Sequence, residues 1–161
     1  MNLIRNRSRG YKIDPPALIH SMILIGAGEM LTPSFKKQWD ITHVINCAED
    51  EMCPTWFKEL HSDNYCCIAA IDSIDVNILF WYPKFRDVLQ KFMRDVNCKR
   101  VFIHCQCGIN RSAFLALMFV CDILGYNIQS AERAIIQARP CALTNPAFRV
   151  QILSALSKKR H

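Results

Sequence analysis

No apolar run in this 161-residue chain approaches the about 20 residues that a helix needs to cross a bilayer. No basic, apolar leader of the secretory kind opens it. The nine cysteines are odd in number and fall into no zinc-ligand spacing: Cys66 and Cys67 are adjacent, Cys105 and Cys107 flank one residue, and the others are scattered. There is no internal repeat and no low-complexity segment. These absences argue against a membrane-spanning protein, a secreted disulfide scaffold, a zinc domain and a solenoid. They predict a reduced, intracellular chain, cytoplasmic or nuclear.

What is there is ordinary globular composition, 51% hydrophobic and 21% charged, in a length suited to one domain with a core of its own. The net charge of +6 comes partly from the ends, with Arg5, Arg7 and Arg9 at one and Lys158-Lys159-Arg160-His161 at the other. Such ends are either solvated tails or a means of steering toward acidic partners: phosphoproteins, RNA or a membrane surface. Asp14-Pro15-Pro16 closes the first of them, since two prolines continue neither a helix nor a central strand. The expected organisation is a basic tail over residues 1–16 and a single domain over 17–161.

Strand and helix patterns alternate along that domain. Ala17 to Ile25 reads as a strand interrupted by His20 and Ser21. Thr32-Pro33 is a cap followed by proline and predicts a short helix over Ser34 to Trp39. Ile41 to Cys47 is a buried strand in which His43 suits a satisfied core or edge position better than a ligand. A short helix follows over Pro54 to His61, and a strand over Tyr65 to Ile71. The spacing of Leu79, Tyr82, Phe85, Leu89 and Phe92 predicts one long amphipathic helix over Ile78 to Val96. Further helices are expected over Ala113 to Leu124, Ser130 to Ala138 and Pro146 to Leu156, the first closed by Gly125. The alternation predicts an α/β fold: a central, mostly parallel sheet flanked by helices on both faces.

The stretch that carries chemistry is Val101 to Ser112. Val101-Phe102-Ile103 is a short buried strand, and from Ser112 onward the pattern is a long apolar helix. A loop joining the two turns backbone N–H groups and a helix N-terminus toward one small volume, which suits an anion, phosphate above all. Cys105 sits at the mouth of that cradle, where its thiolate would share the same N–H groups. Arg111 brings a planar charged fork that fits two phosphoryl oxygens, and Gly108 lets the backbone turn its amides inward. Together they read as a nucleophile aimed at a phosphoryl group.

The string His104, Cys105, Gly108, Arg111, Ser112 resembles the signature of cysteine-dependent phosphatases. Ile68 to Asn77 resembles the acid loop of the dual-specificity members, and Ile41 to Asn46 and Arg139-Pro140 with Asn145 to Ile152 resemble other segments of that family. Asn110-Arg111-Ser112 and Asn145-Pro146 are most similar to its small, catalytic-domain-only viral members of the poxvirus type, so a virus-encoded chain is one implication.

The resemblance implies that Cys105 is the nucleophile, that Arg111 clamps the phosphoryl group, and that His104 holds the loop and tunes the thiolate. Ser112 would donate its hydroxyl to the departing thiolate. The amides of Gln106, Cys107, Gly108, Ile109, Asn110 and Arg111 would complete the cradle. Asp72 would be the general acid, with Asp75 as its near competitor, although Asp75 better suits a helix cap. Asn110 and Asn145 would brace the loops or serve as simple caps. Cys107 is either a space-filling spectator or a trap for oxidised Cys105, and a bridge from i to i+2 demands strained geometry.

No metal and no organic cofactor is implied. Three functions remain open: a phosphatase of phosphotyrosine and phosphoserine/threonine in proteins, a phosphatase of RNA 5′ ends or another non-protein phosphate, and a non-catalytic phospho-binding module. Oligomeric state is not legible.

Overall fold

The computed structural model describes residues 14–159. In chain order these form β1 (Ala17–His20), β2 (Ile23–Ala27), α1 (Pro33–Gln38), β3 (His43–Asn46), α2 (Thr55–Leu60), β4 (Tyr65–Cys67), α3 (Tyr82–Arg94), β5 (Val101–Cys105), α4 (Arg111–Asp122), α5 (Ile128–Ala138) and α6 (Pro146–Lys159). Of the expected basic ends, residues 1–13, Arg160 and His161 lie outside the described residues.

The sheet order is β1-β2-β5-β3-β4. β5 lies in the middle with all five residues buried, paired in parallel with β2 on one side and β3 on the other. β4 continues the parallel pairing beyond β3, and β1 runs antiparallel at the opposite edge. Because side chains alternate across a strand, each central strand feeds two cores. Ile23, Ile25, Ile45, Val101 and Ile103 pack on one face, with α3, α4 and Phe148 of α6. Leu24, Val44 and Phe102 pack on the other, with Phe57 of α2 and Phe35 of α1. Helices thus cover both faces of a mostly parallel sheet. The stretch 111–120 of α4 is buried all round, as a helix apolar on every side should be.

Three elements differ from the sequence expectation, each for a local reason. The stretch 17–25 is not one strand but a hairpin, in which His20 Nδ1 accepts from the N–H of Met22 at 3.0 Å and closes the turn. The strand expected over 65–71 ends at Cys67 because Ala69 adopts a left-handed φ of 55°. The backbone beyond it is still tethered, with the N–H of Ala70 donating to Cys47 O at 2.9 Å. The long helix expected from Ile78 is divided: a 3₁₀ turn covers Ile78–Phe80, and α3 begins at Tyr82. Pro83 explains the division, since its ring is tolerated in a first turn and breaks a helix interior. His43, by contrast, is the satisfied core histidine expected, placed between Thr42 Oγ1 at 2.8 Å and Asp95 Oδ2 at 3.0 Å.

Candidate active site

The C-terminal ends of β5 and β3 open onto one cleft, where ligand sites of α/β sheets gather. β5 delivers Cys105 to its floor, and α4 begins at Arg111 on its wall, so residues 106–110 form the loop between them. Gly108 is required in that loop twice over. Its φ is +66°, and a Cβ there would lie 2.4 Å from the carbonyl carbon of Gly26. Only glycine lets the loop rest on the end of β2.

Cys105 is 2% exposed, and its Sγ lies 3.3 Å from Ser112 Oγ. The Arg111 guanidinium is held from outside the loop: Nη1 donates to Ala70 O at 3.1 Å and pairs with Glu49 Oε1 at 3.5 Å. His104 lies fully buried behind Cys105, with its ring stacked on Phe102 and Nδ1 3.4 Å from Cys105 O. Burial drives its imidazole down to about 4, so at neutral pH the ring is uncharged.

Asp72 stands across the cleft and both of its carboxylate oxygens are occupied. Asn110 Nδ2 donates to Oδ2 at 3.0 Å, and Asn145 Nδ2 donates to Oδ1 at 3.0 Å. Asp75 does not line the cleft, and its N–H is taken up by Ser73 Oγ at 3.1 Å. The cap expected of Asp75 is made by Asn77, whose Oδ1 accepts from the N–H of Leu79 at 2.9 Å.

The cleft has a volume of about 430 Å³. Asp72, Cys105, Gln106, Cys107, Ile109, Asn110 and Arg111, all expected at the site, line it. His104, Ser112 and Gly108 are placed behind its surface. Burial pushes the Cys107 thiol up, and the neighbouring Cys105 adds to the effect. Among the described residues, no three His, Cys, Asp or Glu side chains gather closely enough to hold a metal ion.

Some residues at the site were not singled out from sequence. Glu49 and Thr144 line the cleft. Asn46, fully buried, shapes the loop that carries Glu49: Nδ2 donates to Glu49 O at 2.7 Å, and Oδ1 accepts from the N–H of Ala48 at 2.9 Å. Arg139, which the sequence marks as part of a family-like segment but gives no role at the site, belongs with them. It is fully buried beneath the loop, with Nε donating to Gly108 O at 2.9 Å and Nη2 to Cys107 O at 2.6 Å.

Comparison with known sequences fits this architecture. The family model "Dual specificity phosphatase, catalytic domain" matches residues 23–158, from the start of β2 to within one residue of the end of α6. The chain belongs to the dual-specificity phosphatase family. Human dual specificity protein phosphatase 16 is 26% identical over 141 residues, which cover 88% of this chain and 20% of that protein. Dual specificity protein phosphatase 22-B of Danio rerio is 29% identical over 114 residues, 70% of this chain and 58% of that one. The chain therefore spans from about a fifth to little more than half the length of these curated relatives.

The dual-specificity phosphatase fold is also seen in the crystal structure of the human tyrosine phosphatase-like serine/threonine/tyrosine-interacting protein. That structure superposes with a TM-score of 0.76 at 19% identity, covering 92% of this chain and 99% of that one. At such identity the likeness establishes the fold, and function rests on the site residues.

Proposed function

We propose that this chain is a protein phosphatase acting on phosphotyrosine and on phosphoserine/threonine, through a cysteinyl-phosphate intermediate. The observation that carries the reading is the convergence of Cys105, Arg111 and Asp72 on one cleft, with the thiol at its floor, the guanidinium on its wall and the carboxyl across its mouth.

The chemistry follows from these positions. The Cys105 thiolate attacks phosphorus, and the bond from phosphorus to the substrate oxygen breaks. Asp72 gives that leaving oxygen its proton. Arg111 and the loop amides hold the equatorial oxygens as charge shifts among them. In the second half Asp72, now a carboxylate, takes a proton from the attacking water, and the sulfur–phosphorus bond breaks. Ser112 Oγ, 3.3 Å from Sγ, donates to the sulfur as it leaves. Inorganic phosphate departs with the thiolate restored.

The charge at the rim favours a protein over a nucleic acid substrate. Glu49 lines the cleft itself, and Glu29 and Glu51 line the depression that adjoins it at Gln106. A polyanionic RNA strand would be repelled there. The complete set of Cys105, Asp72 and Arg111 speaks against a module that only binds.

The test is phosphate release from a phosphotyrosine peptide, a phosphothreonine peptide and 5′-triphosphorylated RNA, with Cys105→Ser protein as the blank. Release from both peptides, with RNA at the blank, is the expected outcome. A preference for RNA would overturn the substrate class, and undiminished turnover by Cys105→Ser would overturn the nucleophile.

A further inference from the structure

We propose that Arg139 is the positioning residue that turns the phosphate-loop amides inward, and that the Asp14-Pro15 segment upstream of β1 is the other half of that device. The inference rests on the reading of the 105–111 loop as a phosphate cradle.

In a trans peptide unit the carbonyl of one residue and the N–H of the next point in opposite directions. Fixing a carbonyl on the outside of a loop therefore fixes the following N–H toward the inside. Three successive carbonyls are fixed in this way. Cys107 O and Gly108 O accept from Arg139 Nη2 at 2.6 Å and Nε at 2.9 Å. Ile109 O accepts from the N–H of Leu143 at 2.7 Å. The amides set inward are those of Gly108, Ile109 and Asn110. No peptide bond in the described chain is cis, so the relation holds for all three.

Arg139 is suited to this task because its planar guanidinium donates in fixed directions. One edge serves the loop. From the other, Nη1 donates to Asp14 O at 2.7 Å and Pro15 O at 3.3 Å. The Asp14 carboxylate in turn accepts from the N–H of Cys141 at 2.9 Å, which ties the upstream segment to the turn that follows Arg139. The residue is 0% exposed, so protein groups, these among them, set its orientation and water does not. A lysine would keep the charge but could not present two edges in one plane. The cation beneath the loop also adds its field to the inward N–H groups, in the sense that favours an oxyanion.

The test uses the full chain with tungstate as the oxyanion probe, read by isothermal titration and by amide nitrogen–proton correlation spectra. Wild-type protein should bind tungstate and shift the amides of Gly108, Ile109 and Asn110. Arg139→Lys should weaken binding roughly tenfold, the loss of charge-assisted hydrogen bonds of ordinary strength. The tungstate-induced shifts of Gly108 and Ile109 should be lost, while Asn110, whose preceding carbonyl is held by Leu143, keeps its response. Asp14→Ala, outside the cleft, should weaken binding several-fold in the same residue-specific way and serves where Arg139→Lys protein is poorly folded.

Lower thermal stability with unchanged tungstate affinity and unchanged shifts in the folded variants would overturn the proposal and leave Arg139 a packing residue. Equal loss at all three amides would also overturn it. Failure of the wild-type protein to bind tungstate would instead overturn the phosphate-cradle reading, and this inference with it.

Discussion

Replacing Asp72 by Asn separates chemistry from scaffolding because of how the carboxylate is held. Its two oxygens accept from Asn110 Nδ2 and Asn145 Nδ2, each at 3.0 Å. An amide has a single acceptor oxygen, so in Asp72→Asn one of the two donors faces an –NH₂ group. Neither partner can turn over to relieve this. Asn110 Oδ1 is engaged by the N–H groups of Thr144 and Asn145, both at 2.9 Å. Asn145 Oδ1 is engaged by those of Ala147 and Phe148, at 3.0 and 3.2 Å. The scaffold loss is that of one hydrogen bond, about 1 kcal/mol, and it weakens every substrate alike.

The chemical loss discriminates between substrates. A phosphothreonine ester expels an alkoxide that needs the proton, and its kcat/KM, which reports the first half-reaction, should fall by on the order of 10²–10⁴-fold. An aryl phosphate whose phenol is already acidic leaves without that proton and should slow by little more than the scaffold loss. The assay is steady-state kcat/KM for a series of phosphate esters of graded leaving-group acidity, on wild type, Asp72→Asn and Asp75→Asn. A steeper leaving-group dependence only for Asp72→Asn is expected. An equal decrease across the series would reduce Asp72 to a structural residue, and a steep dependence for Asp75→Asn would move the acid there.

Two further predictions rest on buried groups. Ser112→Ala removes the hydroxyl 3.3 Å from Cys105 Sγ, so a rapid-mixing assay with an aryl phosphate should show a burst of phenol followed by slowed turnover; turnover as fast as wild type with no burst would exclude the hydroxyl from thiolate departure. His104 is held down to about 4 by burial against an ordinary 6.5, so the unfolded chain takes up its proton first and stability falls as pH drops from 6.5 toward 4, by up to about 3 kcal/mol. Urea unfolding at neutral pH and near pH 4.5 should show a smaller loss for His104→Gln than for wild type; equal losses would place the acid sensitivity elsewhere.

How much of this was legible depends on whether a residue's surroundings are written in its own neighbourhood. The strand, loop and helix around Cys105 were, because the pattern changes from a β-branched run to helical apolar spacing within a few residues. The hairpin at His20 was not: two polar residues in an apolar run signal a turn only weakly, and the bond from the Met22 N–H to His20 Nδ1 has no sequence mark. Pro83 was visible, and the division of the long helix should have followed from it. Arg139 was the least legible. Before a proline it reads as the frayed end of a helix, and the carbonyls to which it donates, those of Gly108, Cys107, Asp14 and Pro15, are all distant from it in sequence.

Contacts distant in sequence also join the three loops that assemble the cleft. Asn110 belongs to the phosphate loop, yet its Nδ2 holds Asp72 of the acid loop and its Oδ1 receives the N–H groups of Thr144 and Asn145 from the segment before α6. Asn145 repeats the arrangement from the other side, with Nδ2 on Asp72 and Oδ1 on the first turn of α6. Each asparagine uses its donor for the acid and its acceptor for the backbone. An aspartate in either place would lose the donor and set a second carboxylate against Asp72, and a serine would be too short to span both loops. The loop after Cys105 and Asp72 are thereby held in one hydrogen-bonded unit, so on the proposed reading folding itself places the proton donor relative to the sulfur.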